Sequence, residues 1–298
     1  MHHPLSAQDV ARVDAIWGAF AEGQVSGECF LDIEYVIEVY QKRPYPKGQE
    51  FLDAARQQHG RPFERVLILG CGDGALERAM VHRGYARETL GLDISARAIA
   101  HARAAAERAG YATMRYDQTD LNQPPGGLGT FDAVFYPSSL HHVAELERVL
   151  DWTRERLAPG GLLALSEYVG PTRFQWSDRQ KQEAQAVLAL IPPHFRRLPG
   201  GGTKDVIWAP TATEVATADP SEAVRSGEIL DAVAQRFRIL RREDLGGGLL
   251  FPVLQHIARN FHHEDYHALV LMQFLLHLDD LMLRTGVLPS HCTDLLAV

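Results

Sequence analysis

The tightest constraint on this chain is the stretch Val66-Leu67-Ile68-Leu69-Gly70-Cys71-Gly72-Asp73-Gly74, followed by Ala75. A short apolar run closed by glycines reads as a buried strand, and the helix-like pattern over residues 75–83 follows at once. A strand that bends through glycines into a helix lets the main chain approach a ligand closely and aims free N–H groups at it. On this stretch alone two ligands remain open. Gly70-x-Gly72-x-x-Ala75 also fits the dinucleotide-binding fingerprint, and Asp93, at the end of the next predicted strand, would hold a ribose in either case.

Downstream the pattern alternates. Strands are predicted over 89–93, near 112–116, over 131–136 and over 162–167. Between them lie an alanine-rich helix over 96–109 stopped by Gly110, and a helix over 144–157 ending at Ala158-Pro159-Gly160-Gly161. Short buried strands separated by helices imply a parallel sheet covered on both faces. Right-handed crossovers make it an open, doubly wound α/β sheet. Strands over 237–241 and 290–298 bring it to seven, mostly parallel, with helices over 249–261 and about 265–284 before the last.

Two further segments flank this pattern. Residues 6–20 read as a helix capped by Ser6 with Asp9 three residues on, and Val10, Val13, Ile16 and Trp17 share one face. The aromatic segment 27–41, with Phe30, Tyr35 and Tyr40, completes an N-terminal helical extension. Residues 171–235 hold Pro171, Pro192-Pro193, a Gly200-Gly201-Gly202 run and two capping patterns, Ser177 with Gln180 and Asp219-Pro220 with Glu222. That is too long for a simple αβ connection and predicts a lid-like insertion over the carboxyl ends of the strands. The expected division is an extension over 1–60, a core over 61–170, the insertion over 171–235 and completion of the core over 236–298.

Charge narrows the partners. Acidic residues outnumber Lys and Arg 38 to 30, a formal net charge of −8. A surface that neutralises phosphates needs the opposite balance, so neither nucleic acid nor an anionic membrane is expected, and a small molecule is. Cys29, Cys71 and Cys292 are odd in number and far apart, which suggests neither a disulfide framework nor a zinc knuckle and fits a reducing, cytoplasmic setting. Met1-His2-His3-Pro4 lacks the basic and apolar regions of a secretory leader. The most apolar stretch, residues 268–278, is interrupted by Gln273 and His277 and runs into Asp279-Asp280, as a buried helix would. Composition does not set an oligomeric state.

Five segments in register over residues 66–163 resemble class I S-adenosylmethionine-dependent methyltransferases. Val66 to Gly74, with Gly70, Cys71, Gly72 and Gly74, is similar to the family's glycine loop facing the cofactor's aminoacyl end. Asp93, followed by Ile94, matches the acid that pairs with the two ribose hydroxyls. Thr119-Asp120-Leu121-Asn122 resembles the segment whose Asp accepts from the adenine amino group while the next N–H reaches the ring; Asp117 is the alternative acid. Phe131 to Tyr136 with Ser138-Ser139-Leu140-His141-His142-Val143 looks like the fourth strand and the loop under the methionine moiety. Leu157-Ala158-Pro159-Gly160-Gly161-Leu162-Leu163 resembles the turn into strand five. The resemblance implies S-adenosylmethionine as cofactor. A sulfonium needs no cationic partner, and no Lys or Arg stands between Val66 and Leu76.

The acceptor side is less marked. His141 and His142 follow strand four at the ligand-binding edge, where a neutral imidazole suits a general base or a loop-ordering role. Glu167, at the end of strand five, is a second candidate base, with ion pairing or capping as its ordinary use. Tyr168, Phe174 and Trp176, with Tyr35 and Tyr40, would form an apolar wall or simply core. Arg173, Arg225 and Lys204 would read an anionic group or lie solvated. His263-Glu264-Asp265-Tyr266-His267 fits H-E-x-x-H, but it lies in a charged junction between apolar helices, so no metal is expected. The expected activity is O-methylation of a sugar or secondary metabolite. N- or C-methylation, a nicotinamide-dependent oxidoreductase and a non-catalytic cofactor binder stand as alternatives. Tyr136-Pro137-Ser138-Ser139 replaces the Asn/Asp-Pro-Pro-Tyr/Phe motif of nucleic-acid methylation.

Overall fold

The computed structural model describes residues 5–23, 29–33, 36, 40–42, 44–46 and 49–298. Tyr35 lies outside the described residues. Seven strands form one sheet: β1 (Phe63–Leu69), β2 (Ala86–Asp93), β3 (Met114–Gln118), β4 (Phe131–Pro137), β5 (Leu157–Tyr168), β6 (Ile239–Gly246) and β7 (Cys292–Ala297). Their order is β3-β2-β1-β4-β5-β7-β6, and only β7 runs against its neighbours. The sheet is therefore mixed and mostly parallel. Its order reverses between β1 and β4, which opens a crevice outside their carboxyl ends.

Alternation along the strands builds two cores. Val66, Ile68, Ala133, Phe135 and Ala164 face one side, against Met80 of α3 (Ala75–His82) and Ile99 and Ala102 of α4 (Ala96–Arg108). Leu67, Leu69, Val134, Tyr136, Leu163 and Leu165 face the other, against Leu146, Val149 and Leu150 of α5 (Leu146–Arg156). A third core joins Phe30, Tyr40 and Tyr168 to α6 (Asp178–Leu188), α9 (Leu250–Leu254) and α10 (Tyr266–Arg284). Much of the segment 171–235 is thus anchored by its own apolar packing. No helix among the described residues is long and apolar enough to cross a membrane.

The first helix, α1 (Ala7–Ala21), begins at the expected cap, with both reciprocal bonds between Ser6 and Asp9 formed. It packs on α4, where Asp14 Oδ1 accepts from Ser95 Oγ at 2.7 Å. The predicted helix over 249–261 is broken. Lys204 Nζ donates to the carbonyls of Pro252, Val253 and Gln255, closing α9 after five residues, and His256 then turns left-handed at φ 64°. Nor does a helix start at Asp219-Pro220. Asp219 Oδ1 accepts from Ser221 N and Oγ, a local turn that competes with helix, while an unforeseen capping box of Thr211 and Glu214 starts α7 (Ala212–Ala218). Strand β5 begins five residues early, and β3 and β6 each start two residues late, relative to the apolar runs.

Candidate active site

The crevice is floored by the loop between β1 and α3. Gly70, Gly72 and Gly74 all have positive φ, at 74°, 53° and 75°. Their reasons differ. A Cβ on Gly70 would collide with Ser139 Cβ, and one on Gly74 would lie 2.6 Å from the Tyr116 hydroxyl; beside Gly72 there is open space. Gly70 and Gly74 let neighbouring elements close in, whereas Gly72 leaves a cradle for a ligand. Cys71, between them, is buried.

Asp93 ends β2 beside this loop. Its Oδ2 accepts from Gly72 N at 2.9 Å and its Oδ1 from Ser95 N at 2.8 Å, so one carboxylate ties the glycine bend to the start of α4. Burial lifts the Asp93 carboxyl above its usual range, against the pull of those N–H groups, and Asp14 adds to the rise. Ile94 follows, with its carbonyl accepting from Gln118 Nε2. Farther along the same edge, Asp120 Oδ1 accepts from Asn122 N and Nδ2, both at 2.9 Å. Asn122 Oδ1 in turn accepts from Ala144 N and Glu145 N, and Leu121 is buried. Asp117, the alternative acid, points to solvent and pairs with Arg103 at 3.2 Å.

Beyond β4, Ser138 takes φ 54° and donates its N–H to Ser166 O. The next residues converge on Glu167, which is 2% exposed. Its Oε2 accepts from Ser139 N and Leu140 N at 2.9 and 2.6 Å, and its Oε1 from Tyr168 N at 2.8 Å and from His141 Nδ1. A carboxylate holding four donors is a fixed acceptor, so Glu167 positions the loop rather than serving as the free base the sequence suggested. His141 Nε2 lies 3.6 Å from Glu222 Oε1. Burial alone would lower the His141 pKa, but the charge and hydrogen bond of Glu167, with Glu222 and Asp219, outweigh it and raise it to about 9. Glu167 thus favours the protonated form of the His141 ring, the opposite of what a free base needs.

His142 is its opposite. Burial first, then the neighbouring His141 charge, hold its pKa well below the usual imidazole value. Ser221 Oγ donates to Asp219 Oδ1, so it must accept from His142 Nδ1 at 3.1 Å. The neutral tautomer is thereby set, and Nε2 is a bare lone pair, buried and without a hydrogen-bond partner. Trp17 of α1 packs edge-on against His142 at 4.9 Å and donates Nε1 to Asp219 Oδ2 at 3.2 Å. The sequence marked Trp17 for a helix face and Asp219 for a helix cap, and neither for this site. Glu77 was also missed: fully buried behind the glycine loop, both its oxygens lack partners, and burial pushes its carboxyl up to about 8.

Several expected acceptor residues have other work. Arg173 donates to the carbonyls of Asp219, Pro220 and Glu222, Arg225 pairs with Glu147 and Glu228, and Lys204 caps α9. Their donors go to the protein's own oxygens, so none is placed to read an anion. Tyr40 is sealed in the third core at 1% exposure, edge-on to Phe30. Tyr168 packs against His141, Phe174, Phe251 and His291, and Trp176 is buried. In the H-E-x-x-H stretch, His263 and Glu264 lie in an exposed turn ahead of α10, with only the second histidine on the helix.

Fold and crevice together define an α/β nucleoside-binding domain of the methyltransferase kind. Residues 66–161 match the family described as a methyltransferase domain, and S-adenosylmethionine is the cofactor that this likeness implies. The glycine cradle, beside which the Arg78 guanidinium is held by Asp73, fits that cofactor. An uncharacterised protein of Synechococcus is 34% identical over 145 residues, covering 48% of this chain and 34% of its own length. The ubiquinone biosynthesis O-methyltransferase of Cereibacter sphaeroides is 36% identical over 35% of this chain and 42% of its own length. The matches thus span less than half of these curated relatives. The geranyl diphosphate C-methyltransferase of Streptomyces coelicolor shares the fold, with a TM-score of 0.51 at 13% identity over 83% of this chain and 76% of that one.

Proposed function

We propose that this protein transfers the methyl group of S-adenosylmethionine to a hydroxyl of a small molecule, a sugar or secondary metabolite. One observation carries the reading: the loop after β4, whose Ser139 packs against Gly70 of the glycine cradle, also carries a buried imidazole nitrogen without a hydrogen-bond partner, His142 Nε2. The net charge of −8 supports a small acceptor over nucleic acid. The names of the ubiquinone biosynthesis O-methyltransferase and of the trans-aconitate 2-methyltransferase of Deinococcus radiodurans are consistent with a small-molecule acceptor.

When bound, S-adenosylmethionine supplies a methyl already activated by its sulfonium, for in-line displacement. The protein's part is alignment, exclusion of water and disposal of one proton. Gly70, Cys71, Gly72 and Gly74 hold the aminoacyl end, Asp93 and Ile94 the ribose, and Asp120 and Leu121 the adenine, with Ser138 beneath the methionine portion. His141, locked by Glu167, would fix the loop, and His142 Nε2 would take the proton of the acceptor hydroxyl. Residues 171–235 act as the acceptor's lid.

Calorimetry against S-adenosylmethionine, S-adenosylhomocysteine and NAD tests the first step. Binding of the first two alone is expected, and Asp93→Ala should weaken it by about 1.5–3 kcal/mol through lost charged hydrogen bonds. Binding of NAD in their place, or unchanged affinity in Asp93→Ala, refutes the assignment.

A further inference from the structure

The two histidines and Glu222 have a second property. One ligating atom from each lies within 4.8 Å of the others, the sole such trio of His, Cys, Asp or Glu found among the described residues. We propose that His141 Nε2, His142 Nε2 and a Glu222 carboxylate oxygen form a binding site for a divalent transition-metal ion of the zinc, iron(II) or cobalt(II) class.

The ring orientations make the case. Metal-binding imidazoles characteristically donate their other nitrogen to a carboxylate or hydroxyl, which fixes tautomer and aim. Both rings do so here, His141 through Nδ1 to Glu167 and His142 through Nδ1 to Ser221, itself tied to Asp219. Both Nε2 atoms are left outside these bonds. That of His141 is 3.6 Å from Glu222 Oε1, and that of His142 is buried with no partner. Ligands about 2.1 Å from a common ion sit about 3.0–3.5 Å from one another, so the His141–Glu222 pair, at 3.6 Å, lies just outside that span and a small shift brings it in. Two imidazoles and one carboxylate suit transition ions over magnesium or calcium and leave coordination positions open. The site stands on this geometry alone. Its use in methyl transfer rests on the function proposed above: an open position would take the acceptor oxygen and acidify its hydroxyl, with the proton passing to solvent instead of to His142.

The test uses the full chain after chelator treatment. Cobalt(II) titration followed by its visible absorption, and zinc counted by elemental analysis after dialysis, should give one ion per chain. Glu222→Gln and His142→Ala, checked for folding by circular dichroism, should each weaken cobalt and zinc binding by about 100-fold or more; Ser221→Ala, which frees the His142 ring, should weaken it by about tenfold. No stoichiometric uptake by the wild type, equal uptake by both folded ligand variants, or loss of the ion in His263→Ala/His267→Ala instead would overturn the site. S-adenosylmethionine calorimetry on the same samples separates the readings. Ion uptake lost in the ligand variants, with no cofactor binding in any sample, upholds the metal site and sinks the methyl-transfer proposal alone.

Discussion

Replacing Glu77 by Gln isolates an electrostatic load set directly behind the cofactor loop. The side chain projects from the first turn of α3 toward β2, so close that a Cβ on Gly91 would collide with its Oε1. It lies beside Cys71 and Tyr116, with no hydrogen bond to either oxygen. Burial, aided by Asp73 and Asp93, raises its pKa from 4.5 to about 8. The unfolded chain therefore loses this proton near pH 4.5 while the folded chain keeps it to about 8. Stability must fall as pH rises between those values, at about 1.4 kcal/mol per pH unit. From pH 5 to pH 8 that amounts to about 4 kcal/mol that Glu77→Gln does not lose. Gln carries its own cost for an unsatisfied amide, but that cost is the same at every pH. The readout is thus the difference between the two proteins' urea-unfolding free energies at pH 5, 6, 7 and 8. It should move steadily in favour of Glu77→Gln. Parallel profiles would show that Glu77 is ionised in the folded state and that this account of its surroundings is wrong.

Gly70→Ala should destabilise the fold by about 2 kcal/mol or more, since positive φ strain adds to the collision with Ser139, as melting temperature would show. Gly72→Ala meets open space, so it should cost only about 1–2 kcal/mol of strain yet weaken S-adenosylmethionine binding at least tenfold; equal binding would place the cofactor elsewhere. His142→Ala, assayed in chelator at saturating cofactor, should lower kcat by about 100-fold or more with little change in cofactor affinity, whereas a near-wild-type rate leaves alignment as the whole mechanism. Trp17→Phe keeps the ring against His142 but loses the bond to Asp219, and should cost about 1 kcal/mol of stability in urea unfolding.

What the sequence revealed follows the range over which each signal acts. The glycine bend, the alternating strands and Asp93 were legible because each is written in a few adjacent residues. The helix break after Leu254 and the missing helix start at Asp219 were not, since a distant Lys204 ammonium capping α9 leaves no local pattern at residues 252–255. Arg173 shows the limit of reading charge alone: its sign was visible, but its use on three backbone carbonyls was not. Tyr40 shows the same for aromatics, because a pocket wall and a core share one composition. The deepest miss is Glu77, whose helical position looks ordinary until the β2 side of α3 is found to be sealed.

The residues around His142 explain why the extension and the insertion belong to one site. Trp17 comes from α1, His142 from the loop after β4, and Asp219 and Ser221 from the insertion, and each bonds or packs to another of the set. The insertion is fastened to that loop again by Val224 N donating to His141 O, and α1 reaches the cofactor edge through Asp14 on Ser95. A shift of α1 would therefore disturb the Asp14 contact near Asp93 and the Trp17 contact at His142 together. The glycine loop alone defines a nucleoside site of general use. Contacts from these two segments orient the His142 imidazole, on which the proposed base role depends.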